Sequence, residues 1–478
     1  MKMRDFPHPM LTFLFLLPIG FGLTQAACGG AMASRSRARY AVAHGELPRA
    51  SEIRIAEFLS DYPEALPNPG PNAAGMTVEG ARAAWASESA EPLLVVQTAV
   101  RGRDADTRPP LALMLLVDRS GSMAEQDKMT YVRAALHRLV DQLDPQDYVG
   151  ITTFDDQAEL TLRPTPVAEA AQLHRAIDGI TPRGATNLSD GLRLAYAQLA
   201  LDAPNGTLRR VVLLTDAIAN VGGTDTYAIA TQAQNGDAAG IRLSAIGVGL
   251  DYEDENLAMM ARLGHGNHYF LDSPQEIERV FEREVQGLVE DVADNVYVTF
   301  TPAPGVSVVR VDGVEPEGVE GQHVRASLGR LGAGQHRIAL WTLRGVAPED
   351  RGPSVGTFTL DYTDMRNGET ARATHAEPVM LAMDATQGTV ARNSAVAWMA
   401  HDLRAVSELA DRGQLTDATL RLDRVRAVMS AMANARPDDT ELGRDLAMLD
   451  DYARALSSRT GVPVRTFRAR VRLSAEGG

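Results

Sequence analysis

LALMLLVDRSGSM, residues 111–123, opens with seven consecutive apolar residues, Leu111 to Val117, and breaks abruptly into Asp118 with Ser120 and Ser122 behind it. An apolar run of that length, bounded by Pro110 and a Gly-Ser turn, reads as a strand buried on both faces of a sheet. Asp118 then lies at the carboxyl end of the strand, where open α/β sheets carry their ligand sites. Aspartate and serine offer only hard oxygens, which suit a small divalent cation and not a thiol-loving metal. Taken alone, the segment reads equally well as a helix start, since Asp and Ser cap helices routinely.

Alternation of strand and helix continues from Leu111 to about Leu288 and predicts a mainly parallel sheet covered on both faces. Helical spacing covers Asp127–Leu143, Val167–Ile180, Leu188–Leu201, Thr224–Ala239 and Glu253–Leu263. A last helix, capped by Ser273, extends to about Val289. Strand patterns cover Tyr148–Phe154, Ala158–Leu162, Arg210–Thr215, Ile241–Val248 and His268–Leu271. Beyond residue 294 the period switches to two, and six β-rich runs between Val296 and Val379 predict a sandwich. The run PLLVVQTAV at residues 92–100 is a further strand that fits this sandwich, which makes the α/β unit an insertion in it. Residues 390–460 return to helical periodicity as a hairpin or small bundle, and Arg465–Leu473 alternates Arg with apolar residues as a basic-faced strand.

The ends and bulk composition bound the setting. The chain has 478 residues, enough for roughly two to four domains. A net charge of −15 argues against nucleic-acid binding. Cys28 is the single cysteine, so no internal disulfide can form, and Lys2 and Lys128 are the only lysines. A basic start, an apolar run over Met10–Leu23 and the small, polar TQAACGG of residues 24–30 have the layout of a secretory signal, 1–27. Cys28 at the cleavage point resembles the bacterial lipoprotein signal, in which the cysteine is lipidated and ties the protein to a membrane. Gln25 departs from the aliphatic residue usual there. The alternative is cleavage near Ala26 with Cys28 as a free thiol. The composition predicts a flexible tether over 28–39, a folded N-terminal region over 40–75, a strand within 92–104, the α/β domain over 108–290, the sandwich over 294–381, helices over 390–460 and a tail over 461–478.

Three separated loops supply oxygens: Asp118, Ser120 and Ser122 from the first, Thr186 from the GATN loop, and Asp216 from the end of VVLLTD. In their order and spacing these residues resemble the metal-ion-dependent adhesion site of von Willebrand factor type A (VWA) domains. That resemblance implies a Rossmann-like doubly wound fold. It also makes Asp118, Ser120, Ser122, Thr186 and Asp216 the residues of a divalent ion, Mg²⁺ first, with Mn²⁺ or Ca²⁺ as alternatives. One coordination position would stay open for a Glu or Asp of a partner protein. Ala217 departs from the Gly usual after the last Asp but removes no oxygen. Gly45-Glu-Leu-Pro48, Ile53-Arg-Ile-Ala-Glu-Phe58 and Gly264-His-Gly-Asn-His-Tyr-Phe-Leu-Asp272 also resemble bacterial YfbK-like VWA proteins, typically envelope lipoproteins, in agreement with Cys28.

The function this implies is a non-enzymatic binding protein of the bacterial cell envelope, tethered through Cys28. Two other classes stay open: a metal-dependent hydrolase or phosphatase, and a scaffold in which the ion only stabilises. The hydrolase needs a general base near the metal, and the motif loops offer no His or Glu positioned for one. His265 and His268 are spaced like a metal pair but read better as turn residues. The acids of Asp251–Glu255 read as a helix start.

Overall fold

In the computed structural model, the described residues are 33–460 apart from 61, 63, 84–92, 106–108, 217–220, 250–252, 272–279, 281–289, 315, 321–322, 347–351, 353, 377 and 380–387. The expected signal and Cys28, the helix after Ser273, Ala217 and the basic strand near the C-terminus therefore lie outside the described residues.

Six strands form the α/β sheet: β3 (Leu111–Asp118), β4 (Tyr148–Phe154), β5 (Ala158–Pro166), β6 (Leu208–Thr215), β7 (Ile241–Val248) and β8 (His265–Leu271), in spatial order β5-β4-β3-β6-β7-β8. All pairings are parallel except β4 with β5. Every residue of β3 is buried, because alternate side chains feed two cores. Leu113, Leu115 and Val117 pack with α3 (Lys128–Gln142) and α4 (Ala170–Asp178). Ala112, Met114 and Leu116 pack with α5 (Leu188–Asp202), α6 (Thr226–Ala238) and α7 (Asp254–Leu263). The chain moves outward from β3 through β4 and β5, then returns to β6 on the other flank and continues to β8. The strand order thus reverses between β3 and β6, which opens a crevice at their carboxyl ends. Val117 pairs with Leu214, so Asp118 and Asp216 emerge at that crevice together.

The α/β unit interrupts a β-sandwich. Before it come β1 (Ala74–Ala83) and β2 (Leu93–Gly102); after it come β9 (Asp291–Pro302), β10 (Ser307–Asp312), β11 (Pro316–Glu320), β12 (His323–Gly332), β13 (His336–Arg344), β14 (Gly356–Asp364) and β15 (Thr370–His375). One sheet runs β1-β2-β13-β10 and the other β11-β12-β9-β14-β15. Strand β2 pairs with β13 from Arg101–His336 to Leu94–Leu343, so chain on both sides of the insertion is joined in one ladder. Leu94, Val96, Val100, Trp341, Phe300 and Phe358 fill the space between the sheets, with Phe300 and Phe358 stacked at 4.3 Å. Trp341 Nε1 donates to Thr98 Oγ1 at 3.0 Å, which satisfies the one polar atom of the buried ring.

On the other face of the first sheet, Val95, Ala99, Ile338 and Leu340 meet a helical layer of α8 (Thr389–Asp411), α9 (Leu415–Ala435) and α10 (Thr440–Thr460). Two N-terminal helices, α1 (Ala33–Ala43) and α2 (Ile55–Ser60), complete that layer.

The structure corrects several boundaries. From Ala33 onward the expected tether is helix, and the boundary at residue 40 falls inside α1. Its small residues allow close approach, and its arginines are not solvated. Arg35 is fully buried, with Nε donating to Asp445 Oδ1 at 2.8 Å and its other side 2.7 Å from Asp445 Oδ2. Tyr62 Oη donates to the same carboxylate at 2.7 Å. The N-terminal region expected over 40–75 contains the short helix α2 and at Ala74 is already in β1, a strand that the sequence reading does not include. The part of the sandwich after the insertion begins at Asp291, not 294, and gains the short strand β11.

Breaking a buried pair strands a charge, so Asp445→Asn is expected to cost about 3 kcal/mol and to lower the denaturant midpoint; an unchanged midpoint would show that Arg35 finds another partner. A second ion pair joins α2's entry to the α/β unit, Arg54 to Asp254, both buried or nearly so. Burial alone pushes the Asp254 carboxyl up, but Arg54 outweighs it and holds it at about 2 against an ordinary 3.8. The stability this contributes is complete above pH 3.8 and is lost as the pH falls toward 2. Chemical denaturation between those pH values should show that loss in the wild type and a shallower one in Asp254→Asn.

Candidate metal centre

Asp118 ends β3 with no exposed surface. Its Oδ1 accepts from the backbone N–H of Ser120 at 2.8 Å, closing an Asx turn that reverses the chain at the sheet edge. Its Oδ2 accepts from Thr215 Oγ1 at 2.5 Å, which ties β3 to the last residue of β6. The turn brings Ser120 Oγ to 3.1 Å from Ser122 Oγ, and Ser122 Oγ donates to Asp216 Oδ1 at 2.8 Å. Two carboxylates and two hydroxyls therefore form one continuous chain of polar contacts. Ser120 and Asp216 are buried, whereas Ser122 is only partly covered, so the cluster opens toward solvent on its side.

The Thr186 loop is fastened to the same edge by main-chain bonds. Gly121 N–H donates to Gly184 O at 3.0 Å, and Arg183 N–H donates to Arg119 O at 2.6 Å. Gly184 has φ +70°, and a Cβ there would fall 2.9 Å from Asp156 Oδ2, so the loop needs glycine twice over. Thr186 itself is buried, and its carbonyl accepts from Val221 N–H at 3.3 Å. Arg119 and Arg183 both reach Asp155 Oδ2, at 2.8 and 2.7 Å, and this charged brace sets the rim. It was not legible in the sequence, because neither arginine belongs to a motif.

Two buried acids at one edge need compensating charge. Burial pushes the Asp118 carboxyl up to about 6, and the hydrogen bonds from Thr215 and Ser120 recover only part of that, while the charge of Asp216 adds to it. A cation, Lys128, also went unread in the sequence: Nζ donates to Asp216 Oδ2 at 2.7 Å, and both side chains are buried. Among the described residues no group of three or more His, Cys, Asp or Glu is placed to hold a metal. The donor set here is different in kind: two carboxylates with serine and threonine hydroxyls. Hard oxygens, excess buried negative charge and a solvent-facing side fit a small divalent cation.

His265 and His268 diverge. His265 Nδ1 lies 2.9 Å from Asp237, while His268 is buried, its Nε2 3.8 Å from Asp254. Burial holds the His268 ring down to about 3, so it stays neutral. Asp254 starts α7, and its carboxylate serves Arg54.

Thr215→Val would strip the hydroxyl from Asp118 Oδ2 while keeping the side-chain shape. The expected loss is about 1–3 kcal/mol in denaturant unfolding; no loss would mean that Asp118 recruits another donor.

Residues 112–283 match the family model of the von Willebrand factor type A domain. The chain is 29% identical to the uncharacterised protein YfbK of Escherichia coli over 313 residues, 63% of this chain and 54% of that one. It therefore spans about half the length of that relative. It is also 29% identical to human inter-alpha-trypsin inhibitor heavy chain H4 over 200 residues, 39% of this chain and 21% of that protein. In three dimensions it resembles a von Willebrand factor type A protein from Catenulispora acidiphila, with a TM-score of 0.51, 18% identity, and coverage of 76% of this chain and 88% of that one. The sheet order, the crevice between β3 and β6 and the family match agree: residues 112–283 form a von Willebrand factor type A domain.

Proposed function

We propose that this chain is a cell-envelope binding protein whose VWA domain holds a divalent cation and captures a carboxylate of a partner protein. Members of the VWA family commonly mediate protein–protein interaction and metal-dependent binding. The observation that carries the reading is the convergence of Asp118, Ser120, Ser122 and Asp216 in one hydrogen-bonded cluster at the strand-order reversal, with the Thr186 loop fastened beside it. Those five residues would hold the ion, with Mg²⁺ the first choice and Mn²⁺ or Ca²⁺ acceptable to the same oxygens. A bound divalent ion supplies local positive charge that an incoming Glu or Asp can neutralise.

The chain's own residues prepare this. Thr215 and the Ser120 N–H orient Asp118, Ser122 orients Asp216, and the Arg119–Asp155–Arg183 brace keeps the loops together. Tethering through a lipid on Cys28 would hold the domain at a membrane surface. Non-enzymatic capture is favoured over hydrolysis because the motif segments Asp118–Ser122, Gly184–Asn187 and Thr215–Asp216 contain neither His nor Glu to act as a general base.

The test is partner capture from native membranes with crosslinking and mass spectrometry. Capture should depend on added Mg²⁺, disappear in EDTA, and be lost in Asp118→Ala and Asp216→Ala proteins whose circular dichroism is retained. Capture that survives both chelation and these substitutions overturns the reading. The intact mass of the mature protein tests the anchor: an unmodified Cys28 excludes lipidation.

A further inference from the structure

We infer that Lys128 is a built-in cation of the candidate metal centre, one that competes for Asp216 and sets how tightly a divalent ion is held. The inference rests on the metal reading above and adds a residue that the motif does not contain.

Four observations converge on Lys128. Its ammonium lies 2.7 Å from Asp216 Oδ2, and the residue is 3% exposed, whereas lysine is almost never buried without a charge partner. The chain enters α3 through two non-glycine residues in the left-handed region, Gln126 at φ 51° and Asp127 at φ 59°. Such conformations persist only where the surroundings enforce them, and here they deliver the first residue of the helix to the sheet edge. Room is left for it at Gly249: a Cβ there would fall 3.1 Å from Lys128 Cε and 3.7 Å from Nζ. Finally, the chain carries its positive charge almost wholly on arginine, yet uses lysine here. A compact ammonium is a point charge that fits a narrow slot, where a planar guanidinium would need a wider one.

The charge arithmetic gives the consequence. Asp118 and Asp216 together bring −2, and Lys128 reduces this to −1. A divalent ion then leaves the loaded centre at +1, where without the lysine it would be neutral. Lys128 thus weakens the hold on the ion while keeping the loaded centre attractive to an anionic group. It also keeps Asp216 compensated when no ion is bound, so the loops stay assembled. Lys128 is a positioning residue: it acts on the ion through Asp216.

Mn²⁺ binding to the chelated full chain, followed by electron paramagnetic resonance of the free ion, tests this without reference to any partner. Lys128→Met should bind Mn²⁺ about tenfold more tightly or better, since it removes one nearby unit charge. It should also melt lower than wild type in EDTA and regain that loss when Mn²⁺ is added. Lys128→Gln, which keeps a donor for Asp216 without the charge, guards against misfolding and should tighten binding likewise. Tighter binding cannot arise from a damaged fold. Wild-type binding with equal or weaker binding in both variants overturns the role of Lys128 and leaves the metal reading standing. Binding in neither wild type nor variants overturns both. Binding in the variants alone supports the inference in its strongest form, with the lysine standing in for the ion.

Discussion

A carboxylate buried at the end of an apolar strand must be given hydrogen-bond donors or a counter-charge, and this requirement organises the VWA domain. Asp118 has no exposed surface, and β3 cannot move it outward because both faces of the strand are locked into separate cores. The donors therefore have to come to it. Thr215 arrives because β6 is the neighbouring strand, and the Ser120 N–H arrives because the chain turns at once. That turn places Ser122 against Asp216, which brings a second buried acid into the cluster. Each satisfied group thus imports the next demand, and the result is a hydrogen-bonded cluster of hard oxygens.

The remainder of the chain makes this edge rigid. The chain leaves the VWA domain into β9 of the second sheet and enters it from β2 of the first, a sheet that β13, from beyond the insertion, also joins. That sheet is buried on both faces, by the second sheet on one side and by helices on the other. Helix α1 then bridges to the insertion: Tyr40 meets Phe270 of β8 edge-on at 5.6 Å, while Arg35 is locked to Asp445 of α10. Asp237, at the end of α6, is reached by His265 at 2.9 Å and by Arg330 of β12 at 3.3 Å, which adds a polar bridge to the second sheet. Binding sites held by rigid supports lose less ordering entropy when a partner docks.

What was legible in the sequence depended on how locally each feature is encoded. Asp118, Ser120 and Ser122 lie within five residues and bond across two of them, so the motif shows its own turn. Asp216 follows an apolar run whose pairing with β3 could be guessed from the alternation of strand and helix. The insertion was legible because PLLVVQTAV carries strand propensity, and the run of β-rich segments it could join begins only beyond the alternation of strand and helix. By contrast, β1 reads AGMTVEGARA, rich in Ala and Gly, and is held as an edge strand by its ladder to β2. The arginine-rich start resembled a solvated tether because the acid that buries Arg35 lies far along the chain, at Asp445. Composition reports what a segment can bury by itself and is blind to what a distant segment brings.

Lys128 shows the same blindness at the site. Its spacing from Asp118 carries no information, since the two left-handed residues before it set its direction and a missing Cβ at Gly249 makes its space. The motif residues encode where an ion can sit; the residues around them encode how much charge is already present. In a cluster of two buried acids, that second quantity decides affinity, because each added oxygen contributes little beside a full compensating charge. A VWA motif complete in its oxygens can therefore differ widely in its hold on an ion, and the difference resides in residues that no motif records.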